Sequence, residues 1–223
     1  MNRLVAYDEY GLSELVVINM VESVRQERKS RTRSLLITAA LAHFARDGLT
    51  LARTADIAAS AGVSHGTVFV HFPTREDLMA AAIEELGVRV TRRIHELAEK
   101  GTGVRELLEA HVEGLTEFEP FYARLVKEEC VLPTRAENTL VLIQSSISFH
   151  LSRAVERGMA AGTIRKMPFH LFFNTWIGLV HHYVTHAASF APGKSVLARY
   201  GGQLVEHYMT LISRHAGGGH ESL

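Results

Sequence analysis

Cysteine is nearly absent from this chain. Cys130 is the only one, so no disulfide within the chain can brace the fold, and the expected location is the reducing cytoplasm. No apolar run reaches the ~18 residues that span a bilayer; the stretch over 12–24 is broken by Glu14, Asn19 and Glu22. No basic segment leads into an apolar one as a secretory signal would, and no membrane partner is expected. Net charge is missing too: 24 Lys and Arg face 24 Asp and Glu. Any binding of nucleic acid must therefore rest on a local basic patch. The sequence has no phosphate-cradling glycine loop and no paired nucleophile and base. Neither an enzyme nor a cofactor is expected.

Apolar residues make up 47% of the chain, enough for a sizeable core. Five prolines (Pro73, Pro120, Pro133, Pro168 and Pro192) punctuate long stretches of helical periodicity, and strand-like alternation is scarce. The fold class is all-α, with nine or ten helices. Residues 1–27 read as an N-terminal arm or upstream extension, with Met20 as an alternative translation start. Residues 28–90 read as a three-helix N-terminal domain, 91–215 as a C-terminal helical domain, and 216–223 as a disordered tail.

Within 25–33, five basic side chains stand against one acidic. Such a run is usually a solvated face, but placed just before a DNA-reading unit it can displace counterions from phosphate. A first helix is predicted over 34–46, with Leu36, Ala40 and Phe44 on its core face and Asp47-Gly48 as its end. Thr54 reads as the N-cap of a short second helix over 55–61. Gly62 makes a turn that Val63 plugs, and Ser64 caps a third helix whose Val68 and Phe72 face inward. Pro73 stops that helix, and Thr74 with Asp77 forms a capping-box-like restart. A short helix, a glycine turn and a second short helix is the arrangement that docks in a major groove.

The spaced positions Ile57-Ala58, Ala61-Gly62-Val63-Ser64, Gly66 to Phe72 and Arg75-Glu76-Asp77-Leu78, with Ala39, Ala40, Phe44 and Gly48 before them, resemble the DNA-binding signature of the tetracycline-repressor (TetR, AcrR-like) family. The resemblance covers roughly residues 30–90. It implies a cytoplasmic homodimer that binds double-stranded operator DNA, with a repressor released when a small effector enters the C-terminal domain. It places Arg53, Thr54, His65, Gly66, Thr67, Phe69, Val70, His71 and Arg75 on the DNA. His65 is the expected base reader, and Thr67, His71 and Arg75 the expected phosphate contacts, with a packing role open for His71. Two positions depart from the family pattern: Phe69 stands where tyrosine is common, and Arg75 where lysine is.

Beyond residue 90 the sequence carries fold more than chemistry. A connecting helix is predicted from Thr74 to about Lys100, then helices at about 104–116, 118–131, 134–160, 168–190 and 195–214. The last two are the expected dimer helices, with Leu197, Gly201, Leu204, Tyr208 and Leu211 as a stripe that could equally pack inside one protomer. Phe118, Phe121, Tyr122, Phe149, Phe172, Phe173, Trp176 and Tyr183 are each ordinary core residues taken singly. Together they are the candidate lining of an effector pocket, which implies an apolar or aromatic ligand. His182 and His186, one turn apart, are the candidate metal pair, although no metal is expected. A C-terminal domain that binds a protein partner is the alternative.

Overall fold

The computed structural model describes residues 14–214, and the expected tail over 216–223 lies outside them. Among the described residues there are ten α-helices and no strand: α1 Glu14–Asp47, α2 Thr54–Ser60, α3 His65–His71, α4 Arg75–Glu99, α5 Val104–Glu117, α6 Glu119–Lys127, α7 Thr134–Ala160, α8 Phe169–Thr185, α9 Ala187–Phe190 and α10 Val196–Ile212. A 3₁₀ turn, Glu129–Val131, links α6 to α7.

The first helix departs most from the sequence reading. It begins far ahead of residue 34 and runs unbroken through the expected arm boundary at 27. Every residue from 19 to 31 is exposed, so burial in the core does not hold this part. The residues themselves supply the reason: from Met20 to Ser34 there is no glycine or proline, and Glu, Gln, Arg and Lys dominate. These lose little freedom in a helix, and the helix is already nucleated downstream. The C-terminal half buries Leu36, Ile37, Ala40 and Phe44. Gly48 then ends it at φ +93°, and a Cβ there would also meet Glu128 Oε1 at 2.7 Å. The backbone conformation favours glycine at this corner, and any side chain there would also have to displace the Glu128 carboxylate.

The connecting helix α4 is shared by both halves of the molecule. Its first turn is closed by a capping box: Thr74 Oγ1 accepts from the Asp77 N–H at 3.0 Å, and Asp77 Oδ2 accepts from the Thr74 N–H at 2.9 Å. Further along, Ile83, Leu86, Val90 and Ile94 are buried, and α4 packs on α5 and α7. Helix α10 closes the bundle against α5 and α8. The expected dimer stripe is largely spent here. Leu197, Gly201, Leu204 and Tyr208 are buried in the protomer, and only Leu211 is exposed. Gly201 abuts Val112, where a Cβ would come within 2.4 Å.

The start of α10 is fixed by a buried carboxylate. Glu119, 5% exposed, accepts from the Val196 N–H (2.8 Å), the Leu197 N–H (2.9 Å) and the Ser195 hydroxyl (2.6 Å). Two otherwise orphaned helix amides and the positive end of the helix dipole are satisfied by one negative group. Glu119→Ala should therefore destabilise the protein by about 3 kcal/mol, since it leaves these donors unpaired in the core. Urea unfolding measures this, and a loss below about 1 kcal/mol would contradict the account.

Candidate nucleic-acid interface and effector cavity

The second and third helices form a tight pair around Gly62, which adopts φ +70°. Ile57, Ala58, Val68 and Phe72 are buried on the inner side. Ser64 caps α3 as expected, accepting from the Thr67 N–H at 3.2 Å. Its hydroxyl also lies 2.8 Å from Thr67 Oγ1, so the Thr67 hydroxyl has a partner within the turn. Thr54 does not cap α2. Arg53 holds the N-cap position without a side-chain bond, and Thr54 is the first helical residue. Its hydroxyl is instead hydrogen-bonded to His65 Nε2 at 2.9 Å, tying the start of α2 to the start of α3. The His65 ring also meets Phe69 edge-on, centroids 5.2 Å apart.

Arg53, His65, Gly66, Phe69 and Val70 form the outward face of the pair. Val70 is 73% exposed and Phe69 41%, large values for apolar side chains on a closed fold. His71 is half-buried at the far end of α3. Burial first, then the nearby charges of Lys29 and Arg33, hold its pKa below the ordinary imidazole value. Those two cations therefore sit beside the end of α3, and the Arg33 guanidinium lies over the Phe72 ring at 5.0 Å. The basic run on α1 reaches the same edge as the third helix.

Arg75 is the main correction. Read from sequence as a phosphate contact, it turns inward. Its guanidinium donates to the Ala52 carbonyl through Nε (3.3 Å) and Nη2 (3.2 Å), to the Thr50 carbonyl at 3.2 Å, and to the Leu49 carbonyl. It also lies 5.8 Å from the Phe44 ring centre. The fork thus satisfies the carbonyls of the bend between α1 and α2. The sequence reading also missed His43, which is buried. Its Nε2 lies 2.7 Å from Ser60 Oγ and joins α1 to α2.

In the C-terminal half, α4 to α8 enclose a cavity of about 20 Å³, lined by Leu86, Val90, His111, Leu115, Tyr122, Leu140, Ile143, Gln144, Ile147, Phe173 and Ile177. That is room for about one water molecule. Of the eight aromatic residues proposed from sequence, Tyr122 and Phe173 reach it. Phe121 packs instead on Phe44 of α1, centroids 6.3 Å apart. Phe172 and Trp176 pack against Tyr208, and Tyr183 stacks on Phe190 at 4.5 Å. Phe118 is half-buried against the core. Phe149 is 56% exposed and points away from the cavity altogether.

The polar groups lining the cavity are His111, Tyr122 and Gln144, and two of them pair with residues outside the lining. The Trp176 indole N–H donates to His111 Nδ1 at 3.1 Å. Indole only donates, so the proton of the neutral ring is on Nε2. Burial, then the neighbouring His181, push His111 down to a pKa of about 4. Tyr122 Oη lies 2.7 Å from His181 Nε2, and burial raises the Tyr122 phenol far above its ordinary value. Both aromatic–imidazole pairs are therefore neutral at pH 7. The candidate metal pair has another arrangement. The His182 and His186 rings are 4.6 Å apart, but His186 Nδ1 lies 2.9 Å from the His182 carbonyl. Among the described residues no cluster of three or more His, Cys, Asp or Glu is arranged for a metal ion.

Fold and site together define a helix-turn-helix unit carried on a larger helical domain. Residues 36–82 match the family described as bacterial regulatory proteins, tetR family. The HTH-type transcriptional repressor Rv3405c of Mycobacterium tuberculosis is 40% identical over 60 residues, 27% of this chain and 32% of that one. CymR of Pseudomonas putida, an HTH-type transcriptional regulator, is 40% identical over 67 residues, 30% of this chain and 33% of that one. The match thus spans about a third of the length of these curated relatives. Among solved structures, FadR of Bacillus subtilis in complex with stearoyl-CoA has 19% identity, covers 80% of this chain and 98% of its own, and gives a TM-score of 0.66. A TetR family regulator from Marinobacter aquaeolei has 18% identity, covers 85% and 100%, and gives 0.64. Residues 36–82 thus match the tetR family of bacterial regulatory proteins, and the chain as a whole shares the fold of solved tetR-family regulators.

Two outcomes follow from the site geometry. Arg75→Lys keeps the charge but loses the Nε donor to the Ala52 carbonyl and the planar group beside the Phe44 ring. It should lower stability by about 1–2 kcal/mol, seen as a lower thermal midpoint. His111 gives a pH signature. Its native pKa is depressed, so its contribution is complete above the unfolded value of about 6.5 and is lost as pH falls towards 4. The loss over that window should be on the order of 3 kcal/mol, and it should be absent in His111→Gln. Parallel stability-versus-pH curves for the two proteins would refute this.

Proposed function

We propose that this protein is a transcription regulator that binds operator DNA as a homodimer and is released by a small apolar effector. The observation that carries the DNA reading is the outward face of α3. His65, Phe69 and Val70 are presented to solvent at the end of a capped helix, and the basic stretch of α1 comes alongside. A face of this shape admits base edges through His65 and backbone phosphates through Arg53, Lys29 and Arg33. On the dimer, Gly178 of α8 and Gly202 of α10 each look onto open space. Small residues on two adjacent helices permit close approach of a second copy and a four-helix interface.

The effector reading rests on the cavity and on the helix beside it. Tyr122 forms part of its wall, and the same helix, α6, grips the DNA-binding half. Phe121 packs on Phe44, and Arg124 donates to the Ala45 and Arg46 carbonyls, each at 3.3 Å. Just past its end, Glu128 accepts from the Thr50 N–H and hydroxyl. A ligand that pushes Tyr122 outward moves the element that positions α1. FadR of Bacillus subtilis was solved with stearoyl-CoA, and a ligand with a long apolar part suits the mainly apolar wall here. One observation favours a second reading, capture of a protein partner: Val141, Leu142 and Phe149 are all exposed on α7.

The test is selection of bound duplexes from a random pool, followed by titration at several salt concentrations. A two-fold symmetric site and a steep fall of affinity with salt are expected; enrichment of no sequence would sink the proposal. On that site, His65→Ala should cost about 1–3 kcal/mol and relax one base position. Phe69→Tyr should tighten binding several-fold on selected and scrambled duplexes alike. The added hydroxyl reaches phosphate from an exposed ring, and phosphate carries no base information.

A further inference from the structure

We propose that His95 of α4 and His150 of α7 form a binding site for a divalent ion of zinc-like ligand preference, which ties these two helices together. The residues are 55 positions apart, yet His95 Nδ1 and His150 Nε2 lie 3.4 Å apart. Their ring centres are 5.1 Å apart, with the planes at 58°. That separation exceeds the 2.7–3.2 Å expected of a good hydrogen bond from a ring N–H. It matches the bite of a tetrahedral ion: with Zn–N of about 2.0–2.1 Å, two ligand nitrogens stand about 3.3–3.4 Å apart. Modest rotation about χ2, a soft torsion for histidine, aims both lone pairs at a shared ion.

The surroundings suit a cation. His150 is half-buried, and its Nε2 faces His95 Nδ1 across the two helices. Glu99, one turn beyond His95 on α4, is close enough to act on His150 through its charge, and so supplies negative charge beside the pair. Arg153 also acts on His150, in the sense opposite to Glu99, and its guanidinium lies over the Phe149 ring, 5.8 Å from the centre. His95 is exposed, so an ion can enter from solvent. No third protein ligand completes the set among the described residues, and water fills the remaining positions. The pair spans α4 and α7, which pack along much of their length, so an ion held by both rings fastens the connecting helix to the C-terminal domain.

The experiment is calorimetric titration of the full chain with zinc chloride alone, run in parallel on His95→Gln, His150→Gln and the double variant His182→Gln/His186→Gln. Wild type and the double variant should bind one ion per chain with similar affinity. Each single variant should bind more than about tenfold more weakly, since even residues behind the ligands account for that much. A thermal melt provides the second reading: zinc should raise the midpoint of wild type and not that of His95→Gln. The exposed ring of His95 makes that variant safe for folding if His150→Gln proves unstable. No zinc binding by wild type, unchanged affinity in both single variants, or loss confined to the His182/His186 variant would overturn the proposal.

Discussion

The guanidinium of Arg75 and the bend it holds between α1 and α2 are the constraint on which the helix-turn-helix half depends. A bend of this kind leaves carbonyls with no helix amide to donate to them, and unpaired buried carbonyls are costly. Arg75 is the second residue after Pro73, at the first turn of α4, and its fork reaches the carbonyls of Leu49, Thr50 and Ala52 together. The orientation of α2, and through the Thr54–His65 bond that of α3, follows from where that bend is fixed. Because α4 continues into the C-terminal core, the recognition pair and the cavity wall are mounted on one rigid rod.

The same bend is held from its other side by α6 and the turn that follows it. Glu128 bonds Thr50, and its carboxylate occupies the space that a side chain on Gly48 would need. A few residues of chain are thus gripped by α4 through Arg75 and by α6 through Glu128 and Arg124. Relative movement of α4 and α6 would be felt first there. An ion pair between Arg135 at the start of α7 and Asp77 of the α4 capping box adds a third tie. It is largely exposed on the arginine side, and so is worth less than the buried contacts.

Local chemistry was legible in the sequence wherever one residue type has one use. Ser64, Thr74 with Asp77, Gly48 and Gly62 fall where capping and turn rules put them, and the helix limits from α4 onward agree with the periodicity to within a few residues, except that the helix expected over 118–131 stops at Lys127 and the one expected over 168–190 breaks at His186 into α8 and α9. What the sequence concealed was direction. Arg75 and a phosphate-binding arginine look the same until the loop carbonyls are in place. Aromatic density predicted a cavity lining, but helical phase sends Phe121 to α1, Phe172 and Trp176 to α10, and Phe149 to solvent. Pairings across helices, such as His43 with Ser60 and His95 with His150, have no local signature at all. The start of α1 was misplaced for the opposite reason. The apolar stripe of α1 begins only at Leu36, whereas helix propensity carries the backbone further towards the N-terminus.

The size of the cavity sets the terms on which an effector can act. A space of about 20 Å³ admits no organic ligand, whereas ligand sites commonly enclose ≈300 Å³ or more. On the proposed reading, an effector would need an open form distinct from the closed one described here, and opening would cost free energy because packed apolar contacts must part. The affinity of such an effector would then be lowered by the small fraction of open molecules. That same cost is what gives a ligand leverage, since one that fitted both forms equally would shift nothing. The neutral Trp176–His111 and Tyr122–His181 pairs fit this scheme. They satisfy one another in the closed state, and the Nε2–H of His111 remains a donor for an acceptor atom on an otherwise apolar guest. A guest bearing a full charge would meet no fixed counter-charge among the lining residues and would forfeit its hydration on entry.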